Sequence, residues 1–245
     1  MILCIDSGNT RIKWGLRSGE HWLSAGACAH AALADTRLSQ APRRFVACNV
    51  AGDIGSNAIA ALAKSLGLGV EWVRPMAQQC GVTSRYDPPD QLGADRWAAL
   101  VGARSLHGGA CVVVNCGTAT TIDLLDADGI FQGGLILPGL DLMRGALADR
   151  AADLPTGRGD VCELPRNTFD AIASGAVEAT LGAIERMARR VPAPGGSGGR
   201  RPASADFLCL LSGGAATTLA AHIDLPHRVV ENLVLEGVAG IAAAI

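Results

Sequence analysis

Hydrophobic positions in this chain come in short runs separated by stretches with helical spacing, and the alternation occurs twice. Ile2-Leu3-Cys4-Ile5 reads as a strand, and residues 11–17 and roughly 21–27 as two more, with Ser18-Gly19-Glu20 as a turn. The chain therefore opens on a three-strand meander. Phe45-Val46-Ala47-Cys48-Asn49-Val50 is a further strand. Over 53–67, Ile54, Ala58, Ile59, Leu62 and Leu66 recur at helical spacing and Gly67 supplies a stop. Val70-Glu71-Trp72-Val73 is a short strand. Tyr86-Asp87-Pro88-Pro89-Asp90 is a loop, its two prolines excluding regular structure, and residues 93–106 read as a helix.

The plan then starts again. Strands at 111–115, 119–125 and 130–136 form a second meander, with Asp126-Ala127-Asp128-Gly129 as its hairpin turn. Helices follow near 139–149 and 168–190; Phe207-Leu208-Cys209-Leu210-Leu211 is a strand ending in Ser212-Gly213-Gly214; helices near 214–222 and 232–244 close the chain. The Gly-, Pro- and Ser-rich stretch from Pro192 to Pro202 is a surface loop inside the second half. Two rounds of meander followed by alternating helix and strand make an α/β pattern, divided as residues 1–106 and 107–245.

Each half opens on the same device. Strand 2–5 runs into Asp6-Ser7-Gly8-Asn9-Thr10 and strand 111–114 into Asn115-Cys116-Gly117-Thr118-Ala119. Each is a turn of carboxylate or amide, Gly and Thr between two strands. Glycine there lets a ligand approach the backbone, and successive amides and hydroxyls form an anion-binding concavity. Two such turns suggest a duplicated fold holding one polyphosphate.

Composition narrows the partners. The chain has 245 residues, 49% of them hydrophobic, with a net charge of -2 and no basic run, which argues against nucleic acid as the main partner. Arg189-Arg190 and Arg200-Arg201 read as a solvated loop rim. The eight cysteines contain no Cys-x-x-Cys pair and read as small buried hydrophobes. With neither a signal-peptide pattern nor an apolar run of about 18 residues, a soluble cytoplasmic protein is expected, away from membranes.

Asp6, at a strand end beside Gly8, can hold Mg2+ through water. Asn9 and Thr10 can donate to phosphate oxygens, and Lys13 can return to the β- or γ-phosphate as a point charge. The same residues also suit a β-turn with an Asx cap. Ser212-Gly213-Gly214 allows backbone contact with adenine or ribose, or is a plain strand-to-helix turn. Gly93-Ala94-Asp95-Arg96 starts a helix. Asp95 is there either a solvated helix-start carboxylate or a general base, with Arg96 as a clamp for an anionic acceptor. Asn167-Thr168 precedes another helix and can serve as its cap. The five histidines have no ligand spacing, and Gly-x-Ser-x-Gly and P-loop motifs are absent from the sequence.

In order, these pieces resemble the type III pantothenate kinases, also described as Bvg accessory factor-like proteins. The resemblance rests on Asp6 to Lys13, Tyr86 with Gly93-Ala94-Asp95-Arg96-Trp97, Asn115 to Asp123, Gly133-Gly134-Leu135-Ile136-Leu137-Pro138-Gly139, Asn167-Thr168 with Gly175, and Ser212-Gly213-Gly214. It implies the actin-like/sugar-kinase-like ATPase fold, in which two ribonuclease-H-like domains flank a nucleotide cleft. It implies a homodimer that transfers the γ-phosphoryl of ATP to the primary hydroxyl of pantothenate, the first step of coenzyme A synthesis. By resemblance, ATP binding carries onto Asp6, Ser7, Gly8, Asn9, Thr10, Arg11, Ile12, Lys13 and Thr118, and the catalytic base onto Asp95. Pantothenate contacts carry onto Tyr86, Gly93, Ala94, Asp95, Arg96 and, at the subunit interface, Thr168 of the partner subunit.

At one position the chain departs from the family pattern. Family members carry an aspartate where this chain has Asn115, and that aspartate ligates a monovalent cation, K+ or NH4+. Asparagine keeps a carbonyl ligand but loses the charge, so weaker cation binding is expected. Two other readings compete: a regulatory protein that kept the fold and lost turnover, and a kinase or phosphatase of the same fold with another small acceptor, such as a sugar.

Overall fold

The computed structural model describes residues 1–150, 154, 157–191 and 206–244; the predicted loop from Pro192 to Pro202 and the pair Arg200-Arg201 lie outside them. The chain divides into two units, one of residues 1–108, 129–131 and 232–245, the other of residues 109–128 and 132–231.

In the first unit, β1 (Ile2–Ser7), β2 (Ile12–Ser18) and β3 (His21–Cys28) form the antiparallel meander. β4 (Arg44–Asn49) joins β1 in parallel and β5 (Val70–Trp72) joins β4, giving the order β3-β2-β1-β4-β5. Alternation along the strands sorts the two faces. Leu3, Ile5, Phe45 and Ala47 pack with Ile59, Leu62 and Ala63 of α1 (Gly52–Leu66) into one core. α1 stops where expected, because Gly67 takes the left-handed conformation at φ 67° and its N–H closes onto the last turn.

The first unit also holds β6 (Gln78–Gln79), β7 (Val82–Ser84) and α2 (Ala94–Leu106). Where two prolines were expected to exclude regular structure, Pro89–Gln91 forms a short 3-10 turn. Proline fits a first helical position because no N–H is needed there.

The second unit repeats the order. β8 (Cys111–Cys116), β9 (Ala119–Leu125) and β10 (Ile130–Pro138) form the meander, and β11 (Leu208–Ser212) and β12 (His227–Val229) extend it in parallel beyond β8. β10-β9-β8-β11-β12 thus matches β3-β2-β1-β4-β5 strand for strand. Val112, Val114, Ile122, Leu124, Cys209 and Leu211 face a core shared with Val177, Leu181 and Ile184 of α4 (Thr168–Ala188). α3 (Leu140–Arg150) and the short α5 (Ala216–Ala220) complete this unit.

The closing helix α6 (Leu233–Ala244), grouped with the second half by sequence order, belongs to the first unit. Its Glu236 accepts hydrogen bonds from Arg17 at 2.9 Å and Trp22 Nε1 at 2.7 Å, and the carbonyl of Ala242 accepts from Arg44 at 2.7 Å. It crosses α2 so closely that a methyl group on Gly237 would lie 1.6 Å from the Ala98 carbonyl oxygen. No helix among the described residues is long and apolar enough to cross a membrane.

Candidate functional site

The first turn sits at the end of β1, where β1 and β4 run side by side. Sheet register gathers side chains from three strands: Asp6 lies opposite Lys13 of β2 and beside Cys48 of β4. All three occupy the face away from α1, since Ile5 and Ala47 occupy the other. The Cys48 thiol donates to Asp6 Oδ1 at 3.5 Å. Burial and the nearby charge of Asp95 push the half-buried Asp6 up to about 6, against the opposing pull of Lys13 and the Cys48 hydrogen bond.

Ser7 takes the opposite face. Its hydroxyl is buried, has no hydrogen-bond partner among the described residues, and lies where a methyl group on Gly55 would be, 2.4 Å away. Its side chain is therefore on the α1 side, away from Asp6. Beyond it, Asn9, Thr10 and Arg11 are exposed around a turn closed by the Gly8 N–H onto the Arg11 carbonyl at 3.2 Å, while Ile12 is buried in the core.

The start of α2 brings a second carboxylate to Asp6. Asp95 is half-buried and its pKa is raised, chiefly by burial, although the Arg96 N–H donates to its Oδ1 at 2.8 Å and the Arg96 charge also opposes the rise. Of its two expected states, a solvated helix-start carboxylate does not fit this setting. Gly93 leaves room for it: a methyl group there would be 2.6 Å from Asp95 Oδ1.

Arg96 is 5% exposed and spans two aromatic rings, its guanidinium carbon 5.6 Å from the Tyr86 centroid and 5.9 Å from that of Phe131. It donates to the Tyr86 hydroxyl at 3.2 Å. Tyr86, Gly93, Ala94, Asp95 and Arg96 thus occur together in the first unit, and Phe131 and Cys48 join the set unforeseen. Phe131 reaches it because the first residues of β10 pair with β7, Phe131 beside Ser84. Cys48 was legible in principle, since ligand sites gather at the carboxyl ends of parallel strands.

In the second unit, the turn from Asn115 to Ala119 is built by backbone packing. The Gly139 N–H donates to the Thr118 carbonyl at 2.9 Å, and the Ala215 N–H to that of Cys116 at 3.2 Å. A methyl group on Gly139 would be 2.1 Å from the Gly117 oxygen, and one on Gly213, at φ +96°, 2.4 Å from that of Cys116. Gly213 therefore makes room for the chain itself. Gly8 and Gly117 differ: a methyl group would meet nothing nearer than 3.6 and 3.5 Å, and neither has a positive φ.

Thr118 is exposed on this turn. Asn115 is half-buried and faces the same side of the sheet as Thr121, its register partner, whose buried hydroxyl has no hydrogen-bond partner among the described residues. Thr168, also exposed, opens α4 directly after Asn167, whose side chain caps the helix by accepting from the Asp170 N–H at 3.0 Å.

These residues suit the ions a nucleotide site would use. Among the described residues no three His, Cys, Asp or Glu side chains gather into a metal cage. Mg2+ accompanying a polyphosphate needs only one or two carboxylates, and Asp6, beside the like charge of Asp95, suits it. The amide of Asn115 and the hydroxyl of Thr121 offer neutral oxygens of the kind a monovalent cation takes.

A family model described as type III pantothenate kinase matches residues 2–190. A type III pantothenate kinase of Aromatoleum aromaticum is 51% identical over 247 residues, covering 99% of this chain and 98% of its own. One from Dechloromonas aromatica is 48% identical over 247 residues, covering 99% of each. Among solved structures, a conserved putative Baf family transcriptional activator from Campylobacter jejuni superposes with a TM-score of 0.67 at 20% identity, covering 98% of this chain and 97% of that one. A putative 2-dehydro-3-deoxygalactonokinase from Sinorhizobium meliloti does so with a TM-score of 0.58 at 16% identity, covering 100% and 98%. The fold is that of the actin-like, sugar-kinase-like ATPases.

Proposed function

The chain belongs to the type III pantothenate kinases and is an ATP-dependent kinase of pantothenate, acting in coenzyme A biosynthesis, and we propose that Asp95 is its general base. The meeting of Asp6, Lys13 and Asp95 at the end of one strand, with Arg96 next in sequence, supports this assignment most directly. Phosphoryl transfer asks mainly for positioning and charge neutralisation.

The turns of Asp6 to Lys13 and of Thr118 hold the phosphates. Glycine at 8 and 117 answers no need of the chain's own packing, so close approach of a ligand accounts for it. Lys13 balances phosphate charge, and Asp6 would hold Mg2+, which would supply charge neutralisation of the transferring group. Asp95 accepts the proton of the pantothenate hydroxyl, Arg96 takes the carboxylate, and Tyr86 with the Gly93–Ala94 backbone lines the remainder. A raised pKa suits a base that must take a proton as the hydroxyl attacks. A non-catalytic accessory role would leave two neighbouring carboxylates with raised pKa without a task.

Two further assignments belong to this reading. Asn115 and Thr121 hold a monovalent cation, K+ or NH4+, more weakly than an aspartate at 115 would. The enzyme is a homodimer in which Thr168 of the partner subunit completes the pantothenate site. Exposed Ile136, Leu142, Leu147, Leu164 and Phe169, on β10, α3, the approach to α4 and the first turn of α4, supply the apolar surface such a dimer buries.

The direct test is ADP release with ATP, Mg2+ and K+, with and without pantothenate. The wild-type enzyme is expected to release ADP only with pantothenate and to form 4'-phosphopantothenate. Asp95→Asn is expected to lower turnover by about 10²–10⁴-fold with ATP affinity nearly kept. Unchanged turnover in that variant removes Asp95 from the role.

A further inference from the structure

We infer that Cys48 is a positioning residue for phosphoryl transfer: its thiol, donating to Asp6 Oδ1, holds that carboxylate in the orientation that meets the Mg2+ accompanying ATP. This rests on the assignment of Asp6 to Mg2+. A carboxylate that must meet a cation in one geometry needs its rotation fixed by a partner of its own.

The sheet supplies that partner by register. Across β2, β1 and β4, Lys13, Asp6 and Cys48 stand in one row, so Asp6 has an ammonium strand on one flank and a thiol strand on the other. The thiol reaches Asp6 Oδ1 at 3.5 Å, the one hydrogen bond to this carboxylate among the described residues. At neutral pH an ionised carboxylate has no proton to give, so the sulfur is the donor.

A thiol suits the task better than a stronger donor would. It carries no charge to cancel that of Asp6, and it takes one of about four lone-pair directions of the carboxylate. The remainder stay available to water held on a cation. Cys48 is 1% exposed, so solvent does not compete for its proton, and the surrounding low dielectric strengthens a weak bond.

The backbone keeps the thiol in place. Just beyond Cys48, the Val50 N–H donates to the Ser7 carbonyl at 2.9 Å, tying the end of β4 to the end of β1. Asn49 accepts the Ala51 N–H at 3.0 Å and donates to Ser56 Oγ at 2.9 Å, tying it also to α1. Cys48 and Asp6 therefore cannot slide past one another without breaking these contacts.

Calorimetric affinity for the non-hydrolysable ATP analogue AMPPNP, with Mg2+ and with EDTA, is measured for wild type, Cys48→Ala, Cys48→Ser, Asp6→Asn and the double variant Asp6→Asn/Cys48→Ala. Cys48→Ala removes the donor. It is expected to raise Kd with Mg2+ about 3- to 20-fold, below the usual range for a ligand's outer partner because a thiol donates weakly, with Kd in EDTA within about twofold. Cys48→Ser restores a donor of similar size and is expected to return Kd with Mg2+ to within about twofold of wild type. The double variant is expected to match Asp6→Asn, because Cys48 acts through the carboxylate.

An unchanged Kd with Mg2+ in Cys48→Ala, equal rises with Mg2+ and with EDTA, equal rises in Cys48→Ala and Cys48→Ser, or a further rise in the double variant each overturns the inference. If Asp6→Asn leaves the Mg2+ dependence of binding unchanged, the Mg2+ assignment of Asp6 fails, and the inference with it. Should Cys48→Ala not fold, Cys48→Val fills the position without a donor and gives the same comparison.

Discussion

A methyl group added at Gly8 meets nothing nearer than 3.6 Å, whereas one at Gly213 lands 2.4 Å from a backbone oxygen at φ +96°. The same substitution should therefore do opposite things. Gly8→Ala is expected to change stability by no more than about 1 kcal/mol and to raise KM for ATP at least tenfold. Gly213→Ala is expected to cost about 2–4 kcal/mol through strain and overlap. Urea titration and ATP kinetics on both variants check this, and a Gly8→Ala enzyme with wild-type ATP KM removes the phosphate role of that turn. Asp6 carries a pH signature. Its folded pKa is raised from 3.8 to about 6, so the folded state binds more protons than the unfolded one between those values. Stability then falls as pH rises through that window, and the cost is complete above about pH 6. Without nucleotide or Mg2+, Asp6→Asn is expected to be about 1–3 kcal/mol more stable than wild type at pH 7.5, with the gain lost near pH 4. Equal denaturation midpoints at pH 7.5 contradict this. Such a gain at the expense of function marks a site that stores unfavourable charge for catalysis.

At the scale of elements, the α2–α6 crossing places the proposed base. α2 carries Asp95 at its start and is buried along Trp97 to Ala103, and the two helices meet through glycines: a methyl group added at Gly102 would lie 2.5 Å from the Leu233 oxygen and one at Gly237 1.6 Å from that of Ala98. Gly237→Ala is expected to force the helices apart, costing about 2–3 kcal/mol and lowering turnover by displacing Asp95. Denaturant unfolding and kinetics test it, and wild-type stability would show that the crossing relaxes without cost. This crossing was not legible in sequence: Gly237 sits in an apolar helix whose partner, α2, is distant along the chain. The meander strands, by contrast, were legible within a residue or two, because short apolar runs bounded by glycine turns are local signals. β6, β7 and β12 span only two or three residues each, too few to show a period; β7 and β12 are set by pairing with the longer β10 and β11, and β6 by pairing with β7. The site divides in the same way. Asp6, Lys13, Asp95 and Arg96 were legible because each lies in a short motif, while Phe131 entered through the β7–β10 pairing, which no local pattern announces.

At the scale of the whole molecule, both units spend their parallel strand ends on a turn. Thr168 lies outside those turns, at the start of α4, and the local structure holds it outward. The stretch before α4 folds along the helix: the Asp160 N–H donates to Asp170 Oδ1 at 2.9 Å and the Cys162 N–H to Ser174 Oγ at 3.1 Å. A methyl group on Gly159 would be 2.1 Å from the Phe169 oxygen. This stretch leaves Leu164 78% exposed and Phe169 39% exposed beside Thr168. Two large apolar side chains next to a hydroxyl assigned to a neighbouring subunit's site make a dimer contact the economical account of their exposure. Leu164→Asp places a charge in that contact, where desolvation penalises it strongly, yet costs the free subunit little because the position is exposed. Sedimentation is expected to show dimers for wild type and monomers for the variant at the same concentration. The monomer is expected to bind ATP as wild type does and to lose pantothenate turnover at least 100-fold. A verified monomer with full turnover would mean that Thr168 serves its own chain or none, and a variant that stays dimeric would move the contact away from the start of α4.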